Sequence, residues 1–185
     1  MREARSELTG RARELAQAFD AAFAEAPHTD AQKFEDLLAI RLGGEAHALR
    51  LSEVAGLFAR RKIVRLPSAL PELLGLVSLR AAIVPVYDLG ALLGCAHQTE
   101  PHWLVLAASA SIALAFDELE GYQRVPTDSI VAGAASAGSA GAGDRELVRT
   151  GTELRPLVRV PMLIEGIAKR TEQLKKREGS SRDVR

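Results

Sequence analysis

The sequence predicts a mainly β fold built as small barrels, with a helix at each end. Three observations carry this. Apolar runs are short and are separated by glycine and proline punctuation. Nothing alternates strand with long helix, as a parallel βαβ sheet would require. The longest charge-free apolar run, "WLVLAASASIALAF" at residues 103–116, is too short for a membrane-spanning helix and suits buried strands joined by a turn of small residues.

The elements follow in order. Leu8, Ala12, Leu15, Phe19 and Phe23 recur at helical spacing, so residues 1–33 read as an amphipathic helix followed by the linker "PHTDAQ". Such a stripe is ordinarily core, and a docking helix for another protein is the sharper reading. From Phe34 the period changes. "DLLAIRLGGEAHALRL" holds two apolar runs joined by Gly43-Gly44, a hairpin signal, since glycine accepts the positive φ that tight turns need. Strands are expected at Val54–Phe58, Ile63–Leu66 and "LLGLVSLR", then at "AAIVPVYDL". Apolar residues of both parities surround Pro85 there, which predicts a strand covered on both faces and bulged or bent at the proline. Arg80 and Asp88, roughly 26 Å apart if extended, would each need a separate partner. "AGAASAGSAGAG", residues 132–143, reads as a flexible linker. "ELRPLVRVPMLI" is a closing strand, and Leu163, Ile167 and Leu174 mark one face of a last helix. The domain limits that result are 34–169 for the barrels and 170–185 for the helix end and a disordered tail.

Composition excludes several function classes. Basic and acidic residues balance at 24 each, and aromatic residues make up 4%. A neutral chain with few stacking platforms is a poor nucleic-acid binder, and a nucleic-acid-binding β-barrel is the alternative reading rather than the first. Cys95 is the sole cysteine, so no intrachain disulfide forms. The charged segment "MREARSELTGRARELAQAF" lacks the apolar centre of a signal peptide. A cytoplasmic protein without membrane insertion is expected.

The residues form no enzyme constellation, and no catalysis is expected. Phosphate-cradling GxxxxGK, HExxH and GxSxG patterns are absent, and "AGSAG" has alanine where the elbow glycine belongs. Cys95, His97 and His102 cluster in sequence, and a thiolate beside two imidazoles could hold zinc. Their irregular spacing favours an ordinary polar loop, so neither cofactor nor metal is expected. Arg60, Arg61, Lys62 and Arg65 form a basic knot, and Asp117, Glu118 and Glu120 an acidic one. Both read as solvated loops.

Residues 34 to about 167 resemble the CheW-like family of coupling proteins in bacterial chemosensory arrays. The resemblance rests on "LAIRLGGEAHALRLSEV", on "VRLPSALPELLGLVSLRAAIVPVYDLGALLG" and, more loosely, on "IALAFDELEGYQRVP". It implies two intertwined five-stranded SH3-like β-barrels and no catalysis. It implies an adaptor or scaffold linking a CheA-type histidine kinase, through its regulatory domain, to the cytoplasmic tip of a methyl-accepting chemoreceptor. Other CheW-like proteins are further implied partners. The family pattern places Arg80, Leu51, Val54, Gly56 and Asp88 at partner-binding positions.

Two departures mark a divergent member. Gly56 stands where the family usually has Glu, and Ala81 where it has Gly. The first removes a carboxylate that would support Arg80. The second puts a Cβ where the backbone calls for close approach or positive φ. Both suit an accessory member binding only one of the two partners.

Overall fold

The structure, a computed structural model, describes residues 33–95, 101–133, 145–151 and 153–182. The N-terminal helix and linker, His97, the small-residue linker from residue 134 onward and the last three residues lie outside the described residues.

Two sheets share the chain. β1 (Phe34–Leu42) and β2 (Glu45–Arg50) begin the first. β3 (Val54–Ala59), β4 (Leu73–Leu79), β5 (Ala82–Asp88), β6 (Trp103–Ala107) and β7 (Ala113–Phe116) form the second. β8 (Glu118–Pro126), β9 (Ile130–Gly133), β10 (Arg145–Thr150) and β11 (Glu153–Val158) return to the first. The strand orders are β8-β1-β2-β11-β10-β9 and β3-β6-β7-β5-β4. The first sheet therefore has six strands where five were expected. The short helix α1 (Leu89–Leu93) follows β5, and α2 (Val160–Arg182) follows β11.

Not every strand pairing is antiparallel. β5 runs parallel to β7, and β2 parallel to β11. In the first sheet the chain leaves after β2 and returns at β8, so β11 meets β2 only after a long excursion; in the second, α1 and β6 separate β5 from its parallel partner β7. Other boundaries shift as well. Ile63–Leu66 is not a strand; only Val64 bridges to Leu76. α2 continues to Arg182 through residues that read as tail.

Burial explains why the strands take these places. Leu37, Ala48, Val125, Val148 and Leu157 fill the first barrel. Val77, Leu79, Val84, Val86, Leu104 and Ala115 are among those filling the second. A third cluster lies between them and includes Leu38, Ile40, Leu49, Leu114, Phe116 and Ile167. β1 and β7 each supply one face to a barrel interior and the other to the shared core, because alternate side chains point to opposite faces. β5 does so only in its second half. Val84 and Val86 point into the second barrel and Tyr87 into the shared core, whereas Ile83 is 75% exposed.

Pro85 pairs with Leu76 of β4, and the β7 ladder begins one residue later at Val86. That ladder therefore loses no donor to the proline. The bulge expected at Pro85 lies instead in β4, between Leu73 and Gly75. Gly75 has φ +145°, and a Cβ there would lie 2.1 Å from the carbonyl oxygen of Val64.

Charges are placed at the crossings. Arg50, where the chain leaves the first sheet, pairs with Glu35 at 2.8 Å and Glu146 at 2.7 Å, with Glu53 at 3.8 Å. The Glu53 carboxylate also accepts from the amide of Val160 at 2.7 Å. A carboxylate at a helix N-terminus meets an orphan donor and the positive end of the dipole, a contribution of about 0.3–1 kcal/mol. Glu120, read as a solvated acid, instead joins buried Arg155 to Arg41. The Arg155 hydrogen bond, with Arg41 adding to it, holds the Glu120 carboxyl below its usual range despite partial burial. Asp117 accepts from the Gly43 amide at 2.9 Å and so ties the return crossing to the β1–β2 turn.

Candidate partner-binding site

The β4–β5 hairpin turns in two residues. Leu79 pairs with Ala82, leaving Arg80 and Ala81 as the turn, with φ +47° and +65°. Two consecutive positive φ values define a type I′ turn, whose twist suits a hairpin but which favours Asn and Gly. Neither residue is of that kind. A non-glycine residue in the left-handed region costs on the order of 1 kcal/mol, so this turn stores strain where Arg80 is displayed. Ala81→Gly should relieve part of it and stabilise the protein by roughly 1 kcal/mol. A urea midpoint that rises at unchanged slope checks this, and a midpoint that falls would show the turn unstrained.

From this turn the exposed Arg80 reaches the edge strand β3. Its Nη2 donates to the carbonyl of Ala55 at 3.4 Å, and its guanidinium lies 5.7 Å from the ring centroid of Phe58. Arg61, from the basic knot, sits 5.8 Å from the same ring. Each exposed cation–π contact is worth about 0.5–1 kcal/mol. Among the described residues no carboxylate pairs with Arg80.

Gly56 explains the space. A Cβ built there would lie 3.2 Å from Nη2 of Arg80 and 3.0 Å from Cε2 of Phe58. The guanidinium and the ring end occupy the volume into which a longer residue 56 would grow. Arg80 and Gly56, distant in sequence, are neighbours in space.

The other expected positions divide. Val54 precedes Ala55 on β3, is half-buried and packs against the shared core. Leu51, in the 3₁₀ turn Leu51–Glu53, is exposed. Asp88 is buried, with its Oδ1 accepting from the Ala91 amide at 3.0 Å as the N-cap of α1. It lies at the far end of β5, about 20 Å along the strand from the Arg80 turn. The aspartate faces inward and satisfies a helix end, apart from the exposed Arg80 and Leu51. Phe58 and Arg61 were missed.

Comparison with known proteins decides the family. A family model for the CheW-like domain matches residues 36–166. The chain belongs to the CheW-like family. No curated protein matches it in sequence. Among solved structures, the scaffolding protein TtCheW from Thermoanaerobacter tengcongensis is similar at 16% identity and TM-score 0.64, covering 71% of this chain and 92% of that one. At that identity the likeness is one of fold. Within this CheW-like domain, Arg80 and Arg61 lie over Phe58, whose ring packs against the core of the second barrel.

Cys95 finds partners other than those its sequence neighbours suggested. It lies with Glu45 and His47, while His102 lines a cleft with Ala59, Arg60, Trp103, Asp117 and Glu118. No helix among the described residues is long and apolar enough to cross a membrane.

Proposed function

We propose that this protein is a non-catalytic adaptor of a chemosensory array, and that it binds a CheA-type kinase regulatory domain, a chemoreceptor tip, or one of the two. Membership of the CheW-like family supports the adaptor role. The observation that carries the choice of surface is Arg80, held in a strained turn, exposed, over Phe58 and without a carboxylate partner among the described residues. A guanidinium presented in this way suits the backbone carbonyls and carboxylates of a partner helix, and Arg and aromatic side chains are the usual anchors of interfaces. Leu51 and Leu57 add exposed apolar area on the same stretch of chain.

Calorimetric titration against a receptor-tip fragment and a kinase regulatory domain, run side by side, tests the proposal. Arg80→Ala should leave the protein folded, with a stability loss of no more than about 1 kcal/mol from the lost contact with Phe58. It should weaken binding by more than about 1 kcal/mol. Gly56→Glu, whose Cβ alone would meet Phe58 Cε2 at 3.0 Å and Arg80 Nη2 at 3.2 Å, should push the guanidinium off the ring towards a new carboxylate partner and so change receptor binding. If Arg80→Ala binds both partners as the parent does, the surface is wrongly placed. If the parent binds neither partner, the adaptor reading fails.

A further inference from the structure

The fold brings together three donor types that the sequence keeps apart. The sulfur of Cys95, a carboxylate oxygen of Glu45 and an imidazole nitrogen of His47 all lie within 4.8 Å of one another. We propose that Glu45, His47 and Cys95 form a zinc-class metal site that clasps the β1–β2 hairpin to the end of α1. The proposal is independent of the adaptor reading.

The donor set selects the metal. Thiolate, imidazole and carboxylate are the three ligand types that zinc takes, whereas calcium and magnesium require oxygen alone. Glu45 and His47 stand two residues apart on β2, so their side chains leave the same face of the strand. Cys95 is fixed from its backbone. Its amide donates to the Gly90 carbonyl at 2.9 Å, just after Gly94 ends α1 in the left-handed conformation.

The distances are close to those of coordination. Cys95 Sγ lies 3.9 Å from Oε2 of Glu45. A tetrahedral zinc with bonds of about 2.0–2.3 Å sets its donors roughly 3.3–3.7 Å apart. Side-chain rotations that move the donors by about 1 Å complete the site. His47 is buried, and its Nδ1 lies 3.1 Å from the carbonyl of Glu45. A carbonyl can only accept, so Nδ1 carries the proton. Coordination through Nε2 keeps this bond, the arrangement by which metal-bound imidazoles are oriented.

Charge also closes. Binding displaces the thiol proton to solvent, and the thiolate and carboxylate together neutralise the divalent ion. Glu45 is exposed, which leaves the fourth position to water. Because β2 belongs to the first sheet and α1 follows β5 of the second, the metal would cross-link the two barrels.

The test uses the full chain, stripped with a chelator and titrated with zinc chloride by calorimetry, and with cobalt(II) by absorption. Zinc should bind one to one and raise the melting temperature. Cobalt should give a thiolate-to-metal charge-transfer band. Cys95→Ser should lower zinc affinity by at least about 100-fold and abolish the band, and Glu45→Gln should lower affinity by about ten-fold. Both side chains reach the surface, so the variants should remain folded; if either does not, cobalt spectroscopy of the parent alone decides. The absence of saturable zinc binding, an unchanged affinity in folded Cys95→Ser, or a cobalt complex without the thiolate band each overturns the site.

Discussion

Val84→Asp is expected to abolish the cooperative melt of the barrels. Val84 is 2% exposed and sits among Val77, Leu79, Val86 and Leu104 inside the second barrel. Replacing it forfeits about 1.5–3 kcal/mol of apolar burial. The carboxylate then meets only hydrocarbon, which costs several kcal/mol more or forces it to stay protonated. Against a total stability on the order of 5–15 kcal/mol, the sum leaves little folded protein. Ile83→Asp, one residue away but 75% exposed, is the control and should cost no more than about 0.5 kcal/mol. Thermal melts of the two variants beside the parent make the measurement. Two indistinguishable melts would mean that β5 does not present alternate residues to opposite environments.

Gly75→Ala should be nearly as damaging, for a reason that hydrophobicity does not reveal. The added Cβ would stand 2.1 Å from the Val64 oxygen, 2.7 Å from its carbon and 2.9 Å from the Cα of Arg65. All three are backbone atoms, so no side chain can turn away. Val64 and Leu76 exchange two backbone hydrogen bonds of 2.8 Å, which hold this segment flat against the bulge. The φ of +145° adds strain for any residue with a Cβ. A loss of about 3 kcal/mol or more is expected in the urea midpoint, with amide exchange at Val64 and Leu76 rising towards that of an open loop. A loss under about 1 kcal/mol would show that residues 63–65 can swing free at small cost.

These two positions differ in how visible they were beforehand. Val84 is an apolar residue in an apolar run, and its burial follows from pattern alone. The need for glycine at position 75 depends on a segment ten residues earlier in the chain, so local propensity could not reveal it. The same contrast holds at the candidate site. That Arg80 lacks a Glu at position 56 could be read from the family pattern. That Phe58 and Arg61 complete the cluster could not, because their meeting depends on where the β4–β5 turn lands on β3.

By itself, then, the sequence determined the β class, the Gly43-Gly44 hairpin, the buried β6–β7 run and the apolar face of α2. Each follows from side-chain periodicity or turn chemistry, which act over a few residues. Tertiary structure alone decided how both faces of a strand are covered: β1, β2, β6 and β7 each divide their residues between a barrel interior and the shared core, whereas β5 does so only in its second half. It also decided the parallel pairings, the inward turn of Asp88 and the union of Cys95 with Glu45 and His47. These depend on how two sheets exchange strands around a shared core, and contacts between residues distant in the chain are selected by the packing of the whole.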